Sequence, residues 1–235
     1  MSKGHPRQWE IVEDVTRPDA DAVAALAEFA TTQIADSGAP VGVVEPGVGW
    51  VAGGREMCGP AVTVWTRPGD ILYVLKSADL ITAGDVLVID GGGRRDAAVI
   101  GDIVGATIHG LGCVGMVVDG AVRDLDGLDE AGLPTFARGA HPATGSNQGP
   151  GAINVPVQVG GVAVHPGDVV RADSSGVVVV PRALLASVVE RTRAVAEREL
   201  AWRAEIAAGT SLPAATGIDE LLAELPPDDG AHRGP

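Results

Sequence analysis

Two residue pairs carry most of the chemical interest in this sequence: Gly101-Asp102 and, after twenty intervening residues, Arg123-Asp124. A guanidinium can fork onto a carboxylate or an enolate oxygen through two parallel hydrogen bonds. A carboxylate beside it can hold a hard divalent cation whose other ligands are water and substrate. Gly101 and Asp102 fall in the first turn of a predicted helix. Amides without partners at a helix start attract a carboxylate or phosphate, and glycine lets the ligand come close. Each feature also has a plainer reading. Arg-Asp neighbours are common in solvated turns, and an aspartate near a helix start simply complements the dipole. Residue type alone leaves both readings open.

The surrounding elements must place these residues. Residues 86–89 and 114–118 read as buried strands, each running into Asp-Gly, so that Asp90 with three glycines and Asp119-Gly120 gather polar side chains where apolar runs stop. Between them Ile100, Ile103, Val104, Thr107, Ile108 and Leu111 recur at helical spacing and predict a crossover helix packed on the sheet. Upstream, Val23, Leu26, Ala27, Ala30 and Ile34 mark one face of a single helix from Asp19 to just before Ser37-Gly38. Residues 39–59 show no clear period, 61–65 read as a strand, and 71–81 as a short helix. Downstream come a short helix or turn after Asp124, a strand end at 136–139, and a polar glycine-rich loop at 141–152. Residues 155–164, 169–172 and 177–180 predict short strands of a mixed antiparallel layer. Pro181 opens a helix predicted to run to about Ala208, roughly 40 Å long and able to reach a neighbouring subunit. Leu185, Val188, Thr192, Val195, Trp202 and Ile206 form its seam, and Glu199 fills the gap in it. A carboxylate there is costly unless it is paired or does chemistry, although a glutamate at the edge of the face can also snorkel.

Composition bounds the rest. Hydrophobic residues make up 46% and aromatics only 3%, so the core is built from Val, Ala, Leu and Ile, as in a buried sheet covered by helices. The class is α/β, read as one domain (18–210) with an N-terminal arm (1–17) and a C-terminal tail (211–235) whose last ten residues are expected to be disordered. The formal charge of −14 repels a phosphate backbone, which argues against nucleic-acid binding. No apolar run reaches transmembrane length and no signal core opens the chain, which predicts a cytoplasmic protein. Cys58 and Cys113 read as buried reduced thiols. Gly110-Leu-Gly-Cys-Val-Gly115 matches a dinucleotide fingerprint, but it follows a helix and enters a strand, the reverse of the required order. His141, in a loop with no second histidine at metal spacing, reads as structural or exposed.

Gly101-Asp102 and Arg123-Asp124 at this spacing resemble the signature of the RraA-like family, which contains metal-dependent aldolases of 4-hydroxy-4-methyl-2-oxoglutarate and 4-carboxy-4-hydroxy-2-oxoadipate and the regulator of ribonuclease activity A. The resemblance extends to GPAVTV at 59–64, PGD at 68–70, GDVLVIDGGG at 84–93, FARG at 136–139 and the run from 153 to 181. It implies a layered mixed sheet of the swivelling β/β/α type with flanking helices and a long C-terminal helix. It also implies a lyase that cleaves a 4-hydroxy-2-oxo acid to pyruvate through an enolate, with oxaloacetate decarboxylation from the same parts. In that reading Asp124 holds Mg2+ or Mn2+, and Arg123 stabilises the enolate oxygen. The amides of Gly101, Asp102, Ile103 and Val104 bind the carboxylate. Asp102 and Glu199, with Glu197 the less suitable helix carboxylate, move protons through bound water. The small 2-oxo acid site lies between subunits of a homotrimer or hexamer. The alternative implied by the same family is a non-enzymatic regulator that docks on a ribonuclease or another protein. A methyltransferase reading finds no glycine-rich cofactor loop after a strand.

Overall fold

The computed structural model describes residues 9–225. Helices α1 (Ala20–Ala27) and α2 (Thr31–Ala35) precede two short strands, β1 (Gly42–Val43) and β2 (Gly49–Ala52). Then β3 (Met57–Thr66), α3 (Leu72–Ser77), β4 (Val86–Ile100), α4 (Asp102–Gly110), β5 (Gly115–Val122), α5 (Leu125–Ala131) and β6 (Thr135–Ala140) alternate. Strands β7 (Gly151–Ile153), β8 (Val157–Val159), β9 (Val162–Val164), β10 (Val169–Asp173) and β11 (Gly176–Val180) follow, before α6 (Leu185–Ala207), α7 (Leu212–Thr216) and α8 (Ile218–Glu224). The central strands β3, β4, β5 and β6 are parallel neighbours. Antiparallel β10, β11 and β1 extend the sheet beyond β3, β2 closes it beyond β6, and β8 and β9 form a separate hairpin.

Successive strand residues point to opposite faces, and the core divides accordingly. Leu87 and Ile89 pack with Val62, Met116, Ile108 and Leu128 on the helical face. Val86 and Val88 pack with Val117, Phe136, Val159 and Val170 on the other, under the β8–β9 hairpin. Each fully buried Val, Leu or Ile contributes about 1.5–3 kcal/mol, which is how a chain poor in aromatics fills two layers with aliphatic side chains. The result is the layered α/β architecture expected, with mixed strand directions and a long C-terminal helix.

Four local expectations need correction. The single helix from Asp19 is two helices. The Thr31 amide and hydroxyl donate to the Asp173 carboxylate at 2.8 and 2.7 Å, and Gln33 accepts from the Ala30 amide at 3.1 Å, so a distant acid starts a second helix where periodicity alone would continue the first. The first predicted strand does not stop at Asp90. Residues 90–100 of β4 run beside only 119–122 of β5, with register shifts at each step and positive φ at Gly92 and Gly93, so the extra residues are taken up as bulges. Asp119 lies inside β5, buried, and not at its end. It pairs with Arg138 and accepts the Gly160 amide at 2.7 Å. Ile103, placed on the buried face of α4, is 77% exposed, whereas Ile108 is fully buried.

The described part of the N-terminal arm is tied down. Its Trp9 and Val12 amides donate to Gly151 and Ile153 at 2.6 and 3.2 Å, and Arg17 pairs with the buried Asp85. The tail expected to be disordered, residues 226–235, lies outside the described residues. The chain forms two compact units divided after Thr192, within α6. In the first, Leu185, Val188 and Thr192 of α6 are buried. The second holds the rest of α6 with α7 and α8, and its Leu200, Leu212, Leu221 and Leu222 are exposed. Among the described residues no helix is long and apolar enough to cross a membrane.

Candidate active site

Three neighbouring parallel strands end in one register: Ile100 of β4 pairs with Val122 of β5, which pairs with Ala140 of β6. The next residue of each strand is Gly101, Arg123 and His141. The ladder runs one step further, with the Arg123 amide donating to the Ile100 carbonyl at 3.0 Å and the His141 amide to the Val122 carbonyl at 2.9 Å. The two pairs singled out in the sequence therefore meet where the strands stop, the usual ligand edge of an α/β sheet.

Gly101 packs directly on Arg123-Asp124. A Cβ at Gly101 would lie 2.5 Å from Asp124 Oδ2 and 2.9 Å from Arg123 Cγ. Asp102 is equally close to α5, because a Cβ at Gly127 would lie 2.6 Å from Asp102 Cβ. Gly101 is the N-cap of α4 and has no side chain to cap it; the first intrahelical bond runs from the Gly105 amide to the Gly101 carbonyl at 2.9 Å. The amides before Gly105 have no acceptor within the helix. Of these, the Ile103 amide donates to Asp102 Oδ1 at 2.7 Å, so one expected carboxylate-binding amide already has a local partner.

Asp124 is the N-cap of α5, yet among the described residues its side chain makes no capping hydrogen bond. Its backbone is left-handed (φ 55°, ψ 49°), a conformation that costs a side-chain-bearing residue about 1 kcal/mol or more. That turn frees the carboxylate from its ordinary task at a helix start and sets Oδ2 3.2 Å from Arg123 Nε. Both side chains are well exposed, at 38% and 44%, so substrate and water can reach them. They open onto a cleft of about 300 Å³ lined also by Ala140, His141 and Pro142. A smaller crevice of about 60 Å³ on the other side of Arg123 is lined by Gly101, Val104, Ile71, Leu75 and Thr144.

Thr144 lines the crevice, and His141, a loop residue as expected, lines the cleft beside Asp124. Its position directly after a strand, parallel to Arg123, was the available signal. Asp70 was also missed. Fully buried, it accepts from the Ser146 hydroxyl at 2.6 Å and from the Gln148 and Gly149 amides at 2.9 and 3.0 Å. Burial disfavours its charge, but these bonds and the Leu72 amide outweigh that and hold the carboxyl below its ordinary range. Asp70 thereby fixes the loop that carries Thr144. Glu199 belongs to the second unit, on α6.

Among the described residues no group of three or more His, Cys, Asp or Glu could hold a metal ion. The donor chemistry at Asp124 is a single hard carboxylate facing open space. That fits Mg2+ or Mn2+ carrying mostly water, and it does not fit a zinc site with its nitrogen and sulfur cage.

Fold and geometry define a layered α/β protein with an exposed Arg-Asp pair and a cleft at the carboxyl ends of its parallel strands. The chain belongs to the RraA-like family: the family model described as Aldolase/RraA matches residues 26–179. A protein of Halalkalibacterium halodurans, provisionally named a 4-hydroxy-4-methyl-2-oxoglutarate aldolase, is 40% identical over 138 residues, covering 59% of this chain and 66% of that protein. A Burkholderia mallei protein with the same provisional name is 37% identical over 163 residues, covering 67% of this chain and 98% of the relative. Among solved structures, an uncharacterized protein from Pseudomonas syringae superposes with a TM-score of 0.76 at 31% identity, covering 86% of this chain and all of that one. The RNA-processing inhibitor RraA from Thermus thermophilis superposes with a TM-score of 0.61 at 31% identity, over 65% of this chain and 93% of that one.

Proposed function

We propose that this chain is a divalent-metal-dependent lyase that cleaves the C3–C4 bond of a 4-hydroxy-2-oxo acid and releases pyruvate. The observation that carries the reading is Gly101 packed against the exposed Arg123–Asp124 pair at the shared end of β4 and β5. Aldolase-named relatives support the lyase class. As the C4 hydroxyl loses its proton, the C3–C4 bond breaks and its electron pair passes through C2 to the keto oxygen. Arg123 offers positive charge to that oxygen as it becomes an enolate, an interaction stronger in the transition state than in the substrate. Open first-turn amides of α4 bind the C1 carboxylate. Asp124 would hold Mg2+ or Mn2+, which supplies Lewis-acid withdrawal of charge from the substrate oxygens. Asp102, and Glu199 contributed by a neighbouring subunit of a trimer or hexamer, move the proton from the hydroxyl and return one to C3. Loss of CO2 from oxaloacetate leaves the same enolate and is expected as a second activity.

The test is pyruvate release from 4-hydroxy-4-methyl-2-oxoglutarate and from oxaloacetate, with Mg2+, with a chelator, and after Mg2+ is restored. Turnover that the chelator abolishes and the metal restores is the expected result; no metal-dependent turnover on either acid sinks the proposal. Likeness to the Thermus RNA-processing inhibitor supports a second reading, a regulator that docks on another protein. Light scattering giving a monomer mass would remove the shared-site role of Glu199.

A further inference from the structure

We propose that His141 is the specificity residue for the acceptor half of the substrate and donates a hydrogen bond to a carboxylate on C4. The assignment rests on the lyase reading above. Gly101, Arg123 and His141 follow three adjacent strand ends in one register, with Arg123 in the middle. With C1 bound at the α4 side and the keto oxygen at Arg123, the carbon chain continues toward β6, where His141 and Pro142 line the cleft of about 300 Å³. Strands about 4.8 Å apart put His141 roughly 10 Å from Gly101, a gap that a five- or six-carbon oxo acid bridges with a hydrogen bond of about 2.8 Å at each end.

The histidine is held for this task. Its amide bonds to Val122 at 2.9 Å, which fixes the backbone, and the loop beyond it is fastened by the Ala98 amide donating to the Ala143 carbonyl at 2.8 Å. The Ala143 amide lies 3.2 Å from His141 Nδ1 and donates to it. A ring nitrogen that accepts has no proton, so the proton sits on Nε2 and that nitrogen is a donor. The ring therefore offers an N–H on its far edge to an oxygen of the acceptor half, while Arg123 and the α4 amides hold the other half. Asp96 is occupied by Arg94 at 2.5 Å, and Asp124, which lines the same cleft, by Arg123 at 3.2 Å.

Two variants separate contact from scaffolding. In His141→Asn the amide oxygen can stand in for Nδ1 and keep the Ala143 bond, but nothing reaches as far as Nε2. In His141→Gln the amide nitrogen stands near Nε2. The measurement is the ratio of kcat/KM for 4-hydroxy-4-methyl-2-oxoglutarate, which has a C4 carboxylate, to that for 4-hydroxy-2-oxopentanoate, which lacks one. The expected result is a fall in this ratio of about tenfold in His141→Asn, the size of one lost hydrogen bond, and recovery of most of it in His141→Gln. An unchanged ratio in His141→Asn, or no recovery in His141→Gln, overturns the assignment. Exchange of the pyruvate methyl protons by the unaltered protein is measured alongside. Its absence overturns the enolate reading and this inference together; its presence with an unchanged ratio overturns the inference alone.

Discussion

Gly101→Ala tests the site with the smallest possible change. The new Cβ would sit 2.5 Å from Asp124 Oδ2, 2.9 Å from Arg123 Cγ and 3.1 Å from Arg123 Nε. Ordinary non-bonded contact begins near 3.5 Å, so the carboxylate must retreat by about 1 Å and the arginine by somewhat less. Both are exposed side chains and can move. The backbone of Gly101 is extended (φ −143°, ψ −166°), so alanine fits without strain. Alanine is the weaker N-cap, while loss of unfolded-state freedom favours it by about 0.4–1 kcal/mol. These nearly cancel, and Tm is expected to stay within about 4 °C of the unaltered protein. Activity responds differently, because a misplacement of about 1 Å in a catalytic constellation costs about a hundredfold. The assay is kcat/KM for pyruvate release, with Tm on the same sample. Gly110→Ala, at the other end of α4 where an added Cβ meets nothing within 4 Å among the described residues, is the control and should keep full activity. Activity of Gly101→Ala within threefold of the unaltered protein, or a Tm loss above about 10 °C, would refute the claim that Gly101 exists to admit the Arg123–Asp124 pair.

Asp124→Ala and Asp124→Gly both remove the carboxylate and are expected to lose turnover. Alanine retains the left-handed strain that glycine escapes, so the glycine variant is expected to be the more stable by about 0.5–1 kcal/mol after its unfolded-state entropy is counted, and equal melting curves would contradict the strain at this position. Asp70→Asn should cost about 2 kcal/mol at neutral pH, since it removes the charge and sets a buried NH2 where one acceptor oxygen received an amide, and urea titration measures it. Because the Asp70 carboxyl is held below its ordinary range, its contribution is fully present above the unfolded value of about 3.9 and is lost as pH falls through the folded value. Stability of the unaltered protein should therefore fall more steeply with acid below about pH 4 than that of Asp70→Asn, and parallel curves would count against the loop anchor. Burial pushes the Cys58 thiol up to about 11 against the opposing charge of Arg171, so alkylation at pH 8 should run about a hundredfold slower than for a free thiol; labelling at the free rate would contradict it.

The chemical pairs were legible because they depend on residue type and on the length of one strand–helix–strand unit, which local periodicity specifies well. What was not legible depends on distant partners. No period within residues 19–35 could reveal that Asp173, over a hundred residues away, interrupts the first helix by capping Thr31. Three consecutive glycines after Asp90 read as a stop, yet β4 continues through them and pairs on with β5 through Arg94, Ala98 and Ile100. Asp70 stood in the sequence only as the end of PGD at 68–70; the folded loop at 146–149 supplies the donors that make it an anchor.

The contrast between Asp119 and Asp124 shows how far residue type can go. Both follow apolar runs near the end of β5, and both sit beside an arginine in space. Asp119 is 6% exposed and committed to Arg138 and the Gly160 amide, so its charge is fully used in holding β5, β6 and the β8–β9 hairpin together. Asp124 stands at a helix start that it does not cap, in a backbone conformation that disfavours a side chain, with its carboxylate half exposed. Packing gives no reason for an aspartate there: glycine would relieve the backbone, and serine or asparagine would cap the helix at least as well. An aspartate in that conformation, beside a glycine whose missing side chain makes room for it, is what the proposed metal or substrate ligand would account for.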